Sequence, residues 1–332
     1  MGINAGNKDG GNPKGALVFG RDSALYGVAE SGGPDGVGTI FKVNQDGSGF
    51  KVIRAFDPVR HSGDGAYPKG LTLGANGMLY GITLSGGSRN GNGVLFKMSQ
   101  DGIDFHILHT FHALFHIYNS EQTGLNPSAG VVTERNGACY GTTSGGGNQG
   151  CGDVYKIDTD GNFSVLHSFL KVQGSKDSSM FPQGPLVVGL DNFLYGCTRR
   201  GGTDNGGIVY KINTDGSGFE VLHSFSAPGS ENGDGTLPDG PLVFGRDGFL
   251  YGVTSRGGTG EVGVLFRVSP DGSKFFALHD FSLPNHDLCN ADGGLSFMGL
   301  TLGRDGNLYG ISAGGGANGT GTIFRVSFPA AK

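Results

Sequence analysis

The sequence contains no tryptophan and little charge: of its 332 residues, only 16% are charged. So low a charged fraction is not typical of a coiled coil, a long charged helix or a solvated disordered tail. The formal net charge of -5 also leaves no surplus of Lys and Arg for generic nucleic-acid binding, so we expect no nucleic-acid partner. Because tryptophan commonly lines sugar-stacking lectin pockets, its absence argues against a simple lectin.

Long apolar runs are missing as well. No stretch approaches the roughly 18 to 20 apolar residues that a membrane span needs, and the amino terminus (MGINAGNKDGGNPKG) lacks the hydrophobic region of a signal peptide. We therefore expect no membrane span. The cysteines have no CxxC spacing, which argues against zinc and leaves a disulfide open. They are Cys139, Cys151, Cys197 and Cys289.

Glycine is abundant, with 67 residues, and the chain is organised by a repeat. Each unit has four short runs rich in Val, Ile, Leu, Phe and Tyr, as in PDGPLVFGRDGFLYGVTSRGGTGEVGVLFRVSPDGSKFFALHDF (residues 238–281). Asp-Gly or Asn-Gly pairs, which favour tight hairpin turns, separate the first run from the second and the third from the fourth. A Tyr-Gly pair recurs at intervals of 54 to 60 residues and centres the six units on Tyr26, Tyr80, Tyr140, Tyr195, Tyr251 and Tyr309.

The repeat predicts the fold. Each unit is expected to form an antiparallel sheet of four strands, A to D, which cannot bury both of its faces alone. Neighbouring sheets must therefore stack, and radial closure removes the exposed ends of such a stack. We predict an all-β protein, a six-bladed β-propeller with four-stranded antiparallel blades, in which residues 1–332 form a single domain. We expect it to be a monomer.

The last unit differs from the others because it ends after strand C, at IFRVSFPAAK, without the LHxF segment that ends units two to five. Two interpretations stay open. Either the sixth blade has three strands, or a strand from the opposite terminus, such as residues before Met1 in a longer precursor, supplies the outer strand. Pairing of residues 1–6 with residues 322–326 would show that the amino terminus closes the ring.

The consensus PxGLTLGxDGxLYGxTxxGGxxGxGxIFRVxxDGxxFxxLHSF resembles the GloVer tandem repeat over nearly the whole chain. That family consists of glycine-rich repeats in secreted or surface bacterial proteins, so the resemblance implies an extracellular or cell-surface location. It brings no fixed catalytic motif. The chain departs from the consensus in the second D–A loop, where SEQTGLNP replaces the DGxxP segment, and in the sixth unit. The first departure is the one that could carry chemistry.

The two ends of each blade differ in their expected connections. Antiparallel order places the A–B and C–D turns at one end, the turn side, and the B–C and D–A loops at the other, the loop side. The turns are uniform, whereas the loop side carries irregular segments such as residues 111–127 and 281–296. Because variable loops on a rigid scaffold commonly carry function, we predict the functional site on the loop side.

Several histidines recur with the repeat. Chemistry needs one asymmetric set of groups rather than one copy in every blade, so we interpret these side chains as donors that tie strand D to the neighbouring backbone or blade. They are His109, His167, His223 and His279, with Arg54 in the same place in the first unit.

The unrepeated proton-transfer groups lie in the first two D–A loops. His116 and Tyr118 stand in the second, and Arg60 and His61 in the first. Abstraction of the proton beside a uronate carboxyl needs a base, an acid for the leaving oxygen and a cation for the carboxylate. We therefore predict His116, Tyr118 and His61 as catalytic residues and Arg60 as a substrate-binding residue. Propeller-fold polysaccharide lyases are similar in using His, Tyr and Arg on this side, which is an analogy of architecture.

The B–C loops of units four and five supply a second basic group. Arg199, Arg200 and Arg256 precede the Gly-Gly pairs there, and no other B–C loop has arginine at these positions. The paired N–H donors of arginine suit carboxylate or sulfate groups, so we predict that these three residues bind substrate. The alternative is that they are solvated and paired with Asp204 or Glu261.

We predict neither a cofactor nor a metal ion. A site made of His112, His116 and Glu121 is a weaker alternative to a surface loop that is rich in histidine. No nucleotide-binding fingerprint stands in a supporting context. Four Asp-Gly pairs lack the ligand spacing of a calcium loop, and we attribute them to Asx turns. These begin at Asp9, Asp64, Asp234 and Asp292.

The sequence thus predicts an exported, carbohydrate-active propeller that engages an acidic polysaccharide on its loop side, with lyase activity by β-elimination as its catalytic form. The alternative is a non-catalytic glycan- or protein-binding module of a bacterial surface protein. Whether the protein is an enzyme stays open. An enzyme should concentrate unrepeated His, Tyr and Arg on neighbouring blades, whereas a multivalent binder should repeat one pocket in every blade.

Overall fold

A computed structural model describes residues 7–57, 63–88, 91–112, 124–172, 178–227, 229–230, 233–286 and 289–327. Over these residues the regular elements are β-strands, which pair only with antiparallel neighbours inside six sheets. No stretch of the described chain forms a helix long and apolar enough to cross a membrane. The chain divides into two compact units, residues 1–168 and residues 169–332, each of which contains three of the sheets.

The first unit contains blades 1 to 3. Blade 1 consists of β1 (Gly11–Phe19), β2 (Leu25–Ser31), β3 (Thr39–Val43) and β4 (Lys51–Ala55). Blade 2 consists of β5 (Ala66–Leu73), β6 (Leu79–Ser85), β7 (Gly91–Met98) and β8 (His106–His112). In blade 3, strand A is divided into β9 (Leu125–Pro127) and β10 (Val132–Thr133), followed by β11 (Cys139–Gly145), β12 (Asp153–Ile157) and β13 (Phe163–Ser168).

The second unit contains blades 4 to 6. Blade 4 consists of β14 (Ser179–Pro182) and β15 (Val187–Val188) as strand A, then β16 (Phe193–Gly201), β17 (Ile208–Asn213) and β18 (Glu220–Ser224). Blade 5 consists of β19 (Thr236–Pro238) and β20 (Val243–Phe244), then β21 (Leu250–Arg256), β22 (Val264–Val268) and β23 (Phe275–Asp280). Blade 6 has β24 (Gly294–Leu302), β25 (Leu308–Gly314) and β26 (Thr322–Val326).

The predicted fold class is confirmed. The sheets follow the order A, B, C, D, and the protein is an all-β, six-bladed β-propeller. Blade 6 is a three-stranded sheet over the described residues, in agreement with the first of the two interpretations of the last unit. The proposed pairing of residues 1–6 with strand β26 falls outside the described part of the chain.

The Tyr-Gly pair of the repeat has a structural reason. In blade 1 the hydroxyl of Tyr26 donates to Asp22 Oδ2 in the A–B turn at 2.9 Å, which anchors the turn to strand B. Gly27 follows because the Phe41 ring of strand C lies over it, and a Cβ there would come within 2.5 Å of that ring. The same tyrosine–aspartate bond recurs in blades 4, 5 and 6, at 2.6 to 2.7 Å.

Strand A of five blades contains a non-glycine residue in the left-handed backbone region, directly before a proline. In two of these residues the N–H donates to the previous blade: Tyr67 donates to the Val37 carbonyl at 2.8 Å, and Leu237 donates to the Gly206 carbonyl at 2.7 Å. Each such bond ties a B–C loop to the next blade, although the conformation is unfavourable for large side chains. The five residues are Asn12, Tyr67, Asn126, Phe181 and Leu237, with φ from 53 to 61°.

The hydrophobic core lies between successive blades of each unit. Between blades 1 and 2, Val28 and Ile40 pack in one cluster with Leu71 and Phe96, and all four are buried. Equivalent clusters join blades 2 and 3, 4 and 5, and 5 and 6. Because the apolar faces of adjacent sheets bury each other, truncation of Phe96 to alanine is expected to cost about 3–5 kcal/mol.

Within each unit the recurrent strand-D histidine or arginine joins its blade to the next, as we expected for an architectural group. His223 Nε2 lies 3.2 Å from Asp234 Oδ2, and its ring stacks on Phe275 of blade 5 at 3.6 Å. In the first unit, Arg54 pairs with Asp64 and covers the Phe105 ring of blade 2 at 3.6 Å.

These contacts correct the interpretation of the Asp-Gly pairs as simple Asx turns. Asp64, Asp234 and Asp292 contact the strand-D side chain of the preceding blade, which is Arg54, His223 and His279 respectively. Burial alone would raise the pKa of Asp234, but hydrogen bonds from His223 and Ser226 hold it below its usual value. The role of these aspartates is therefore to hold strand D against the next blade.

Candidate functional site

The structure describes the predicted basic residues of blades 4 and 5 but not the predicted catalytic residues. His61, His116 and Tyr118, together with Arg60, lie outside the described residues, as does Glu121 of the alternative metal site. The arginines of blades 4 and 5 are described, and both of these blades belong to the second unit. The site is therefore built from those two blades.

Arg199, Arg200 and Arg256 lie where strand B of their blades reaches the loop side. Arg199 and Arg200 are in the last three residues of β16, and Arg256 ends β21. Arg199 Nε lies 3.4 Å from Asp239 Oδ1 of blade 5, and 47% of the Arg199 side chain remains exposed. Among the described residues, Arg200 and Arg256 form no ion pair.

This arrangement corrects the alternative that pairs the arginines with Asp204 or Glu261. The acidic partner of Arg199 comes instead from strand A of the next blade, immediately after β19. Neither Asp204 nor Glu261 takes part in an ion pair within the described part of the chain. Two of the three guanidinium groups on this edge thus remain available to an anionic ligand.

Asp239 is the acidic centre of the edge. Its Oδ2 lies 2.7 Å from Ser255 Oγ, which is also 3.0 Å from the carbonyl of Leu237. Burial raises the pKa of the Asp239 carboxyl, against the opposing effects of Ser255, Arg199 and Arg200. A half-buried carboxyl with a raised pKa therefore lies in contact with Arg199 at the loop side.

An exposed aromatic residue lies on strand A of blade 4, next to the strand that carries Arg199 and Arg200. Phe181 lies between Met180 and Pro182, which pair with Arg200 and Thr198 of strand B. The residue is exposed and has a φ of 58°, a conformation that is costly for a phenylalanine. An exposed apolar ring on the strand beside two arginines suits a sugar-acid ligand, because a ring face can contact the sugar and a guanidinium group its carboxylate.

The other histidines of the second blade do not assemble a metal site in the described residues. His112 Nδ1 lies 3.1 Å from Ser88 Oγ, and His106 Nε2 lies 2.6 Å from Asp104 Oδ1. His109 stacks on Phe163 at 4.3 Å, and burial lowers its pKa to about 4, so the ring is neutral near pH 7. No group of three His, Cys, Asp or Glu side chains that could hold a metal ion occurs in the part of the chain that the structure describes.

The cysteines are not part of a site either. All four are described, and no disulfide joins them. Burial raises the pKa of the Cys139 thiol to about 12 and also raises that of Cys197, so both stay protonated and unreactive near neutral pH.

Asp239, Ser255 and Phe181 are the site residues that the sequence analysis missed. A signal for Asp239 was present, because the residue after the strand-A proline is Lys14, Lys69, Ser128 or Gln183 in other blades and is acidic only in blade 5. Phe181 had a weaker signal, since the residue before that proline varies between asparagine and large apolar side chains.

The fold and this edge define the class of the protein: a β-propeller built of tandem repeats. The loop side of one unit carries three arginines, two of which form no ion pair among the described residues. The chain belongs to the Gloeobacter/Verrucomicrobia repeat family, whose sequence model matches residues 3–181 and 126–332. The match confirms the resemblance inferred from the repeat consensus. Among curated proteins, none matches the sequence of the chain.

Solved structures with a similar fold have low sequence identity to the chain. An oligogalacturonate lyase from Vibrio parahaemolyticus is 12% identical with a TM-score of 0.53, over 91% of this chain and 70% of the lyase. A gluconolactonase from Xanthomonas campestris is 13% identical with a TM-score of 0.51, over 97% and 88% of the two chains. TolB from Acinetobacter baumannii is 12% identical with a TM-score of 0.50, over 83% of this chain and 54% of TolB. These likenesses show the propeller fold alone.

Proposed function

We propose that the protein binds an acidic saccharide on the loop side of blades 4 and 5, through Arg199, Arg200 and Arg256. The observation that supports this proposal is that Arg200 and Arg256 have no ion pair among the described residues. The exposed residue Phe181 follows Met180, which pairs with Arg200. In a chain with a net charge of -5, guanidinium groups without an ion pair at the loop-side ends of β16 and β21 favour an anionic ligand over a cationic one.

The chemistry of the edge fits a sugar acid. A guanidinium group can donate two parallel N–H bonds to a carboxylate, and the Phe181 ring can pack against the apolar face of a pyranose. Ser255 offers a hydroxyl to the sugar hydroxyls, and Asp239 holds Arg199 and Ser255 beside the ligand. An uncharged sugar would leave the arginines without a partner, so the proposal requires a charged substrate class, such as a uronate.

The similar solved structures include two whose names refer to sugar acids, an oligogalacturonate lyase and a gluconolactonase. Their low identity shows only a shared fold, so they suggest the substrate class and do not establish it. The proposal takes uronic-acid polymers as the first class to test for this reason. It also places the protein outside the cell or on its surface, where such polymers occur, as the repeat resemblance implies.

The catalytic form of the proposal is β-elimination. His116 or Tyr118 takes the proton from the carbon beside the uronate carboxyl, the bond to the linking oxygen breaks, and an acid such as His61 protonates that oxygen. Arg60 would stabilise the charge that develops on the carboxylate. These four assignments come from the sequence alone, and they remain proposals.

Binding is the first test. Polygalacturonate and alginate should bind the whole chain in titration calorimetry, and Arg200→Ala and Arg256→Ala should each weaken binding about tenfold, because each removes a charge-assisted contact. Lys274→Ala removes the same charge from the C–D turn of blade 5 and is the matched control. Equal weakening by all three variants, or no binding of any uronate polymer, would contradict the proposal.

Turnover is the second test. A lyase produces an unsaturated sugar that absorbs in the ultraviolet, and Tyr118→Phe or His116→Ala should lower that rate about 100-fold or more without changing the melting temperature. If uronate binds but no product forms under any condition, the protein is the non-catalytic binding module that the sequence left as an alternative. If both variants keep the wild-type rate, the catalytic assignment is wrong.

A further inference from the structure

Blades 1 and 2 have a lysine at the position where blade 5 has Asp239. Lys14 and Lys69 each follow the strand-A proline, and each comes directly before a glycine. Blades 3 and 4 have uncharged residues at this position. Two neighbouring blades of the first unit thus carry a cation at the same point of strand A. These two residues are called the lysine pair below.

The backbones that carry the lysine pair lie close together, because strands β1 and β5 approach each other there. A Cβ atom on Gly15 would lie 3.0 Å from the Lys69 carbonyl oxygen and 3.4 Å from Gly70 Cα. Gly15 also has a φ of 70°, a conformation that favours glycine. The residue directly after Lys14 is therefore packed against the backbone of Lys69.

The charge of the lysine pair is only partly compensated by the protein. Lys14 Nζ lies 3.8 Å from Glu30 Oε2 of its own blade, which is too long for a hydrogen bond. The same oxygen accepts from Asn12 Nδ2 at 2.6 Å. Lys69 forms no ion pair with a described residue. Two ammonium groups thus share one carboxylate, which contacts only the first of them.

Blades 4 and 5 show how the same two positions meet when their charges are reversed. There the strand-A residue Asp239 contacts Arg199 of the preceding blade at 3.4 Å. Lys69 holds the position of Asp239, and Glu30 holds that of Arg199, four residues after the repeat tyrosine. Glu30 and Lys69 form no such ion pair, and Glu30 is bonded to Asn12 instead. The ammonium group of Lys69 is therefore left without its equivalent partner.

Both lysine side chains are half-buried, with 32% of the Lys14 side chain exposed. Like charges repel more strongly where solvent is partly excluded. An anion that reaches both ammonium groups removes this repulsion and accepts hydrogen bonds from their N–H donors. An ammonium group is a compact charge with three rotatable donors, so it suits the clustered oxygens of a phosphate or a carboxylate.

We propose that Lys14 and Lys69 form a binding site for an oxyanion, supplied either by a phosphate ion or by the carboxylate of an acidic sugar. Glu30 is the internal carboxylate that competes with this ligand for Lys14. The site goes beyond the saccharide site proposed above, because it lies in the first unit and uses none of the same residues.

Lysine acetylation by an N-hydroxysuccinimide ester, followed by peptide mass spectrometry, tests the site directly. The probes are inorganic phosphate and trigalacturonate. A bound oxyanion should lower the acetylation rates of Lys14 and Lys69 about threefold or more, because it occupies their N–H donors. Lys51, an exposed residue at the start of β4, is the control and should react at an unchanged rate. No change with either probe, or equal changes at the three lysines, would overturn the proposal.

The two probes distinguish the source of the oxyanion. Protection of the lysine pair by phosphate alone supports a free ion as the ligand, and protection by trigalacturonate alone supports an acidic sugar. Protection by both supports a site that selects the charge of the ligand. Protection by phosphate should also weaken as sodium chloride is added, because salt screens the ammonium groups.

Two variants should change the affinity for the protecting probe in opposite directions. In titration calorimetry, Lys69→Gln should weaken binding about tenfold, because it removes a charge-assisted donor. Glu30→Gln should tighten binding about threefold, because it removes the competing carboxylate. Glu134→Gln is the matched control, since Glu134 accepts from Asn136 Nδ2 at 3.0 Å in an exposed turn of blade 3. Unchanged binding by Lys69→Gln, or equal effects of the two glutamate variants, would overturn the proposal.

The double variant Arg200→Ala/Arg256→Ala separates this site from the proposed saccharide site. The probe that protects the lysine pair in the wild type should protect it equally in this variant, because the arginines belong to the second unit. Loss of that protection would overturn the proposal. If no uronate binds the arginines, phosphate can still protect the lysines, so either proposal can fail while the other stands.

Discussion

Arg199 of blade 4 directs its Nε at Oδ1 of Asp239 in blade 5, at 3.4 Å, while the other oxygen of the same carboxyl lies 2.7 Å from Ser255 Oγ. The Asp239 carboxylate thus already contacts Arg199, one of the arginines that we propose to bind the carboxylate of the ligand. An acidic ligand has to compete with Asp239 for Arg199 or share it. This competition makes the charge of Asp239 a determinant of affinity.

The first prediction is that Asp239→Asn tightens the binding of uronate polymers, by about threefold to tenfold. The substitution keeps an acceptor for Ser255 but removes a negative charge close to the ligand carboxylate, and a like charge in a site of reduced dielectric weakens binding. Because burial raises the pKa of Asp239, wild-type affinity should also rise as the pH is lowered and this carboxyl becomes protonated.

Titration calorimetry of both proteins at two pH values tests this prediction. Asp204→Asn, in the B–C loop of blade 4, removes the same charge without touching Arg199 and is the control. If Asp204→Asn tightens binding as much as Asp239→Asn, the effect is one of net charge, and if Asp239→Asn weakens binding, Asp239 contacts the ligand directly.

The second prediction concerns the exposed ring of Phe181. Asparagine occupies the equivalent left-handed position in blades 1 and 3, as Asn12 and Asn126, and tolerates that backbone conformation better than phenylalanine does. Phe181→Asn should therefore leave the unfolding free energy unchanged or raise it by up to ~1 kcal/mol, while saccharide affinity falls about tenfold through loss of the stacking surface.

Tyr67→Asn is the matched control for Phe181→Asn, because Tyr67 has the same backbone conformation in blade 2. It should change stability in the same direction and leave saccharide affinity unaltered. Urea unfolding and calorimetry on both variants give the two readouts. Equal affinities of the Phe181→Asn variant and the wild type would remove the ring from the site.

The sequence predicts the six blades well because each repeats the same turn and strand chemistry. The Tyr-Gly pair recurs in all six units and the four apolar runs recur in five of them, so few alternative folds fit the sequence. The three strands of blade 6 were foreseeable for the same reason, since its LHxF segment is absent. Division of strand A into two pieces was not foreseen, because the left-handed residue before its proline has no fixed residue type.

The site was harder to predict because its contacts join different blades. Arg199 was recognised as a basic residue, but its partner Asp239 lies 40 positions further on and comes close only through the register of strand A against the preceding blade. The Asp-Gly pairs were misread for the same reason: an Asx turn is a local contact, whereas Asp234 accepts from His223 across the blade boundary. Local patterns do not encode such contacts.

The third prediction concerns the clamp of His223, Asp234 and Phe275. His223→Ala should lower the unfolding free energy by about 1–3 kcal/mol, because it removes the imidazole partner of Asp234, which keeps its hydrogen bond from Ser226, and removes a ring that stacks on Phe275 at 3.6 Å. His106→Ala, which removes an exposed histidine paired with Asp104, should change stability by less than ~0.5 kcal/mol. Urea unfolding of the two variants measures the difference, and similar losses would show that the clamp adds nothing beyond an exposed pair.

The fourth prediction concerns Asp153, a fully buried carboxyl in strand C of blade 3, where blades 2, 4 and 5 have Val94, Ile208 and Val264. Burial raises its pKa to about 6, against the opposing hydrogen bond from Ser168 at 2.7 Å. In the unfolded chain such a carboxyl ionises near pH 4. Between about pH 4 and pH 6 the unfolded chain therefore releases a proton that the folded protein keeps.

The contribution of Asp153 to stability is accordingly largest below about pH 4, falls as the pH rises through this window, and stays low above pH 6. The difference between a pKa of about 6 in the folded protein and about 4 in the unfolded chain corresponds to ~3 kcal/mol. Asparagine cannot ionise. The change in unfolding free energy caused by Asp153→Asn should therefore be more favourable at pH 7 than at pH 4, by about 1–3 kcal/mol. Asp160→Asn, in the exposed C–D turn of the same blade, should show no such pH dependence. Urea unfolding of both variants at the two pH values provides the measurement. If Asp153→Asn changes the unfolding free energy equally at pH 4 and pH 7, Asp153 does not keep its proton in the folded protein.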